Sequence, residues 1–494
     1  MVANFFKKNL SSITLVLLIV IGLLLRIYFL IHRGSFWFDE LFSVHFANLS
    51  VGQIWYYLVG ENNPPFYILL FHFFGKIVPL TEYSTRCLSL LFNILALFFL
   101  YLLGKKMFNR RVALIAVLFS SLSLIQIVYA VEARVYSLLF LLAILSTYFY
   151  WDFFGPKISR RSFGLYFIFS ILLIWCHLFS WFVILAQAVV IIWQRRQARI
   201  KHFFLAQAVI LGSFLFWFIP ALYRKLQVPL LEGWFFKMPV YIFNGFKNIS
   251  YFLAAVDSHI IAAFIYLFIF ACLLAVIWYG HKKDDHLTRI KIIYCFILIL
   301  PPFLIVFMHA KYFLGCSLGF YLLIAKGFDN LTLRSREKVL ALVGISIFLI
   351  LLNLSFVNQF HFYWQEIGGY LNNNQVGVDK IIVSRYNHAL LVDKYYQGGV
   401  PVAGFLPVAE KSDDDDLNLV KYNWVNYLKK ENIGQLADII EDDDKIILIE
   451  QELIADVRDL VLEWFAANNW QIVGQLSIKA NETPEVFILQ RINN

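Results

Sequence analysis

Apolar stretches long enough to cross a bilayer recur through the first 357 residues and then stop. Crossing about 30 Å of hydrocarbon as a helix takes roughly 20 apolar residues. Runs of this kind fall at 11–32, 85–104, 112–129, 134–152, 163–177, 179–194, 203–220, 258–279, 292–308, 313–328 and 339–357, giving eleven expected spans. Composition agrees: 60% of the residues are hydrophobic and 15% charged, whereas a soluble domain carries about 25% charged residues. The sequence predicts an α-helical polytopic membrane protein.

The formal charge of +9 is unevenly spread. Residues 358–494 hold 11 Lys and Arg against 21 Asp and Glu, a net of −10, so the first 357 residues carry +19. Basic clusters stand at Lys7/Lys8, Lys105/Lys106/Arg110/Arg111, Lys157/Arg160/Arg161, Arg195/Arg196/Arg199/Lys201, Lys282/Lys283/Arg289/Lys291 and Arg334/Arg336/Lys338. They fall at every second turn between spans. That is the pattern of cytoplasmic loops, not of a nucleic-acid surface, and no nucleic-acid partner is expected. The N-terminus is then cytoplasmic, and eleven spans leave the C-terminus outside. Lys7 and Lys8 precede an apolar run with no small-residue cleavage site, so this run reads as an uncleaved first span. The five cysteines lie in or beside apolar segments and form no CxxC pattern.

This topology leaves two long outer loops, 33–84 and 221–257. Residues 65–78 within the first are apolar but short, and read as a helix lying in the membrane interface. The stretch WFFKMPVYIFNGF (234–246) in the second has a similar character. The domains expected are thus a transmembrane module over 1–357 and an extracytoplasmic α/β domain over 358–494. In the latter, KIIVS (380–384), VPVAGF (400–405), KIILIE (445–450), WQIVGQLSI (470–478) and EVFILQRI (485–492) read as strands, with helices at 386–397 and 451–468. The acid runs DDDD (413–416) and EDDD (441–444) could hold Ca²⁺, although most such runs are solvated loops.

Polar residues at the outer ends of spans are informative, because in lipid they are costly unless paired or lining a wet cavity. The first outer loop offers SFWFDELFSV (35–44) with Asp39 and Glu40, then NPPFYILLFH with Asn63 and His72. The third span leads into QIVYAVEARVYS with Glu132, Arg134 and Tyr136. The fifth ends at His177, and the ninth at MHAKYF with His309, Lys311 and Tyr312. Carboxylates, imidazoles and cations therefore gather at one face. Asp39, Glu40, His177 and His309 could supply metal ligands, so a divalent metal is possible, but no spacing among them is diagnostic and no cofactor is required by motif.

WFDE after the first span, NPPFYILLFH, EYSTRCLSLLFNILALFFLYLLGKKMF, EARVYSLLFLLAILS and KYF before a late span, in this order, resemble the GT-C membrane glycosyltransferases. The similarity is to the family 39/83 group, the protein mannosyltransferase and aminoarabinose transferase type, and covers about residues 1–330. It implies an inverting glycosyltransferase that moves a sugar from a polyprenyl-phosphate donor to a lipid, glycan or protein acceptor on the outer face of a bacterial inner membrane. Such a transfer needs a carboxylate to take the acceptor proton and cations to hold the leaving phosphate. By resemblance Asp39 is the base, Glu40 orients Asp39, the acceptor or a bound cation, and Arg134 and Lys311 bind the phosphate. Asn63, His72, Glu132, Tyr136, His177, His309 and Tyr312 line the substrate cavity. Two departures stand out. Lys311 occupies a place where the family more often has Arg, which loses the bidentate fork. Asn63-Pro64-Pro65 replaces a His-Pro-Pro, so no role of that His carries over.

Plainer readings compete with each of these. The Asp39–Glu40 pair is also what a solvated helix start looks like. Arg134 and Lys311 could be headgroup anchors, His72 and His177 core residues, and Arg26 could reach either the cavity or only the headgroups. A flippase or transporter of lipid-linked sugars is the alternative function. Internal repeats and midplane polar sites would favour it, but no repeat is evident and the polar groups cluster at one face.

Overall fold

A computed structural model describes the chain except for residues 1, 60–62, 154–158, 195–196, 227–248, 255–258, 306–307, 386–387, 405–432, 441, 451–454, 477–484 and 493–494. Most of the second long loop, the 234–246 stretch and the DDDD run lie outside the described residues. The chain divides into two compact units: Met1–Leu30 with Phe46–Phe356, and Ile31–His45 with Val357–Asn494. The short segment around Asp39 therefore belongs with the C-terminal residues.

The first unit is helical throughout its described length. Each of the eleven expected segments carries helix. Among the described residues six helices are individually long and apolar enough to cross a membrane, from Leu10–Ile31 to Ser335–Phe360, and a bent pair makes a seventh. The bent pair is Arg110–Leu122 and Leu124–Ala130, which meet at 64°. Shorter apolar helices, such as Phe66–Gly75 and Leu178–Trp193, accompany them. The helix Phe66–Gly75 falls on the stretch expected to lie in the interface.

The helix starts are legible chemically. Thr81 and Ser84 form a reciprocal capping box at the start of Glu82–Met107. The Asn109 carboxamide oxygen accepts the Val112 N–H at 2.9 Å to begin Arg110–Leu122. Between helices, small residues allow close approach: at Gly327 any side chain would run into the Cys272 backbone. Polar side chains meet across helices, as where Ser146 and Ser170 oxygens lie 2.9 Å apart and the Tyr166 hydroxyl donates to Gln187 at 2.9 Å. Two cations of the unit have carboxylate partners. Lys106 pairs with Asp152 at 2.6 Å and Lys326 with Asp284 at 2.9 Å.

The second unit contains a five-stranded sheet of order β2-β1-β3-β5-β4, with β1 at Lys380–Val383, β2 at Val402–Gly404, β3 at Lys445–Glu450, β4 at Trp470–Leu476 and β5 at Glu485–Arg491. All five expected strands are present. β1 lies parallel to β2 and β3, while β5 runs antiparallel to both β3 and β4. The unbroken apolar runs of β1 and β3 suit strands covered on both faces, and Ile382, Ile446 and Leu448 sit in a core with Phe465, Phe487 and Leu489. The expected helices appear as Ala389–Tyr395 and Ala455–Ala467. Helices Trp364–Asn374 and Gln435–Ile440 were not expected. Of the EDDD run, Asp443 pairs with Lys380 at 3.0 Å, and the Asp444 N–H donates to Asp379 at 2.9 Å. These residues are committed to tying the sheet's start.

Candidate functional site

In the first unit the structure brings together two of the candidate cations, one imidazole and two tyrosines. They come from three connections between helices. The first is the turn between Leu124–Ala130 and Tyr136–Phe153, held by the Ser137 hydroxyl donating to the Tyr129 carbonyl at 2.8 Å. It is tightened by the Arg134 N–H donating to the Glu132 carbonyl at 2.7 Å. This turn presents Arg134, half-buried, beside the buried Glu132 and Tyr136. The second is His177, which links helix Arg160–Cys176 to the 3₁₀ turn Leu178–Ser180. Its Nδ1 accepts the Phe179 N–H at 3.2 Å, which leaves Nε2 to carry the proton in the neutral ring. The third is the 3₁₀ segment Ala310–Cys316.

Aromatic faces hold these connections together. The Tyr312 ring stacks on His177 at 5.8 Å and on Phe179 at 5.8 Å. Tyr136 meets His177 at 6.2 Å and Tyr312 at 6.4 Å. The Lys311 ammonium stands 5.8 Å from the Tyr136 ring and 5.5 Å from the Tyr312 ring, a range in which an aromatic face attracts a cation. His309 is exposed, with its ring 6.3 Å from Tyr312, at the margin of the group. Such a cluster offers two cations for an anion and flat apolar faces for a sugar or isoprenoid.

Three other residues take different places. His72 is buried with Nδ1 2.9 Å from the Ala47 carbonyl, a bond that ties helix Phe66–Gly75 to the chain before Val51–Leu58. Asn63 is half-buried just before Pro64 and Pro65, which lead into that same helix. Arg26 reaches neither headgroup nor open cavity. It is fully buried, donating to the Asn93 carboxamide at 2.9 Å and to the carbonyls of Gly22 and Ser121 at 2.9 Å and Ser120 at 3.3 Å. Ser120 and Ser121 end the first half of the bent pair, so Arg26 supplies donors to carbonyls that the bend releases. From Asn93 the network continues to Gln126 at 3.0 Å and on to Ser317 at 3.3 Å.

Asp39 and Glu40 lie in the second unit, in the first turn of helix Phe38–Ala47. The Trp37 carbonyl accepts the Leu41 N–H at 3.0 Å, which makes Trp37 the residue that begins the helix. Glu40 is fully buried, and its Oε2 accepts the Trp37 N–H at 3.3 Å, half of a capping box. Asp39 occupies the second helical position, 7% exposed, where the helix N-terminus favours a negative charge. Sequence reasoning missed Glu40's capping bond, although the signal was present: a Glu three residues after the helix's first carbonyl. Among the described residues no three His, Cys, Asp or Glu side chains gather as a metal site.

No family model matches the sequence, and no curated protein matches it. Solved structures do match the fold. ArnT from Cupriavidus metallidurans in the apo state aligns with a TM-score of 0.59 at 12% identity, over 96% of this chain and 97% of ArnT. The same protein bound to undecaprenyl phosphate aligns at 0.56 with 13% identity and the same coverage. The archaeal oligosaccharyltransferase AglB from Archaeoglobus fulgidus, in complex with an inhibitory peptide and a dolichol-phosphate, aligns at 0.53 with 11% identity, over 90% of this chain and 70% of AglB. The chain therefore has the fold of ArnT and AglB, with helices long and apolar enough to cross a membrane.

Proposed function

We propose that this protein is an inverting glycosyltransferase that takes a sugar from a polyprenyl-phosphate donor and passes it to an acceptor on the outer face of the membrane. The observation that carries this reading is the gathering of Lys311 and His177 against the Tyr136 and Tyr312 rings, with Arg134 in the turn that leads into Tyr136. The fold supports it, since ArnT has been seen with undecaprenyl phosphate and AglB with a dolichol-phosphate. Residues 1–357 are the membrane module in this reading, and 358–494 form an extracytoplasmic domain.

The chemistry assigns a role to each group. Asp39 takes the proton of the acceptor hydroxyl or amine as that atom attacks the anomeric carbon. The bond from this carbon to the phosphate oxygen breaks, and polyprenyl phosphate leaves with the electron pair. Arg134 and Lys311 stabilise the charge growing on that phosphate. Tyr136, Tyr312 and His177 pack the donor. Glu40, capping the helix that bears Asp39, fixes its orientation.

The test uses purified protein in lipid nanodiscs with a panel of labelled polyprenyl-phosphate sugars and membrane-extract acceptors. Wild type should release sugar from one donor, and Asp39→Asn should slow release by about a hundredfold or more, to a measurable residue, while donor binding persists. Full activity of a folded Asp39→Asn protein overturns Asp39 as base. No turnover of any donor, with lipid-linked sugar crossing vesicles instead, overturns the transferase in favour of a flippase.

A further inference from the structure

The segment that carries Asp39 makes a series of bonds to residues that follow the last span. Ser35 N–H donates to the Phe362 carbonyl at 2.9 Å, and Phe362 N–H to the Arg33 carbonyl at 3.0 Å, a short parallel bridge centred on Gly34. Gly34 has φ +68°, and a Cβ there would collide with the Phe362 carbonyl oxygen. The Ser35 hydroxyl accepts the Gln365 N–H at 2.8 Å. Trp37 stacks on Phe362 at 5.9 Å with the rings 9° from parallel. The last tie before the helix is the Tyr395 hydroxyl, which accepts the Phe36 N–H at 2.7 Å.

Phe36 precedes by one residue the carbonyl that starts helix Phe38–Ala47. The direction of that helix, and so the place of Asp39 three residues on, follows from where Phe36 is held. Tyr395 closes helix Ala389–Tyr395, whose backbone packs on Gly368 so closely that a Cβ at 368 would collide with the Tyr395 carbonyl. The hydroxyl is thereby referenced to the sheet domain and not to a mobile loop tip.

We propose that Tyr395 is a positioning residue for the Asp39 base, so that the C-terminal domain takes part in the transfer reaction through the Phe36 N–H. This rests on the reading of Asp39 as the base. A misplacement of about 1 Å can cost up to a hundredfold in rate without touching the reacting groups.

The experiment compares wild type, Tyr395→Phe, Asp39→Asn and the double variant in the full-length protein, with the labelled donor that wild type turns over. Tyr395→Phe keeps the ring and removes the acceptor. It should lower kcat about tenfold and leave donor KM within about twofold. In the Asp39→Asn background the same change should have no further effect on residual turnover. Should Tyr395→Phe fold poorly, Ser35→Ala, which removes the acceptor for Gln365 N–H, should show the same kcat loss and the same silence in the double variant. Wild-type kcat in Tyr395→Phe, or an equal loss with and without Asp39, overturns the proposal. Full activity of Asp39→Asn alone overturns the underlying reading instead, so the two failures are distinct.

Discussion

Arg26 and Lys311 are both cations that the sequence puts near the ends of membrane spans, yet their surroundings differ in kind. Arg26 is sealed in: one carboxamide and three carbonyls take its donors, and it is fully buried. Lys311 is half-buried among tyrosine faces, on a 3₁₀ segment between helices. A guanidinium saturated with neutral acceptors holds a bent helix together. An ammonium set against aromatic faces is held by a softer, less directional attraction. The same charge thus meets neutral acceptors in one place and aromatic faces in the other.

The largest effect should come from removing the sealed cation. Arg26→Met strands the carbonyls of Ser120 and Ser121 and the Asn93 carboxamide in the apolar interior, at about 1–3 kcal/mol for each group left unsatisfied. Thermal unfolding in detergent should show a fall in stability of several such units, with turnover per folded molecule nearly intact. A stable Arg26→Met protein that has lost turnover would collapse the distinction between the two cations.

Lys311→Ala should do the reverse, lowering turnover about a hundredfold while the melting midpoint stays within about 2 °C. Lys311→Arg should recover most of the lost rate by restoring a charge with a planar fork. A melting midpoint that drops with Lys311→Ala, at unchanged turnover, would make Lys311 a structural anchor.

Smaller effects mark the other polar groups. His388 is buried against the Trp364 ring at 5.1 Å, and burial first, then the Arg385 charge, push its pKa down to about 3. Because the unfolded chain binds a proton near pH 6.5 and the folded one does not, this stability is fully present above 6.5. It drains as pH falls from 6.5 towards 3. Unfolding of the second unit followed from pH 7 to pH 4 should show a shallower loss in His388→Gln than in wild type. Lys106→Ala, which breaks the partly exposed pair with Asp152, should cost no more than about 1 kcal/mol. A larger cost would extend the sealed character of Arg26 to that end of the unit.

The local chemistry was readable in the sequence and the distant pairings were not. Apolar runs located the helices of the first unit, and the runs KIIVS and KIILIE announced strands. The gathering of Arg134, Tyr136, His177, Lys311 and Tyr312 also followed, because each sits at a span end that charge patterning puts on the same side. His72 did not follow, since its partner is a backbone carbonyl 25 residues away and leaves no mark in composition. Nor did Arg26, whose acceptors are mostly backbone. The membership of Ile31–His45 in the second unit was equally invisible, because it depends on a bridge between residues far apart in the chain.

That bridge has a consequence for biosynthesis. Gln365 is made 330 residues after Ser35, and at ~5–20 residues per second the nascent chain spends some tens of seconds without its clamp. The stretch around Asp39 must wait on the membrane while every remaining span is inserted. A ribosome that stalls, or a message that ends early, therefore leaves a product that lacks the partners of Ser35 and Phe36.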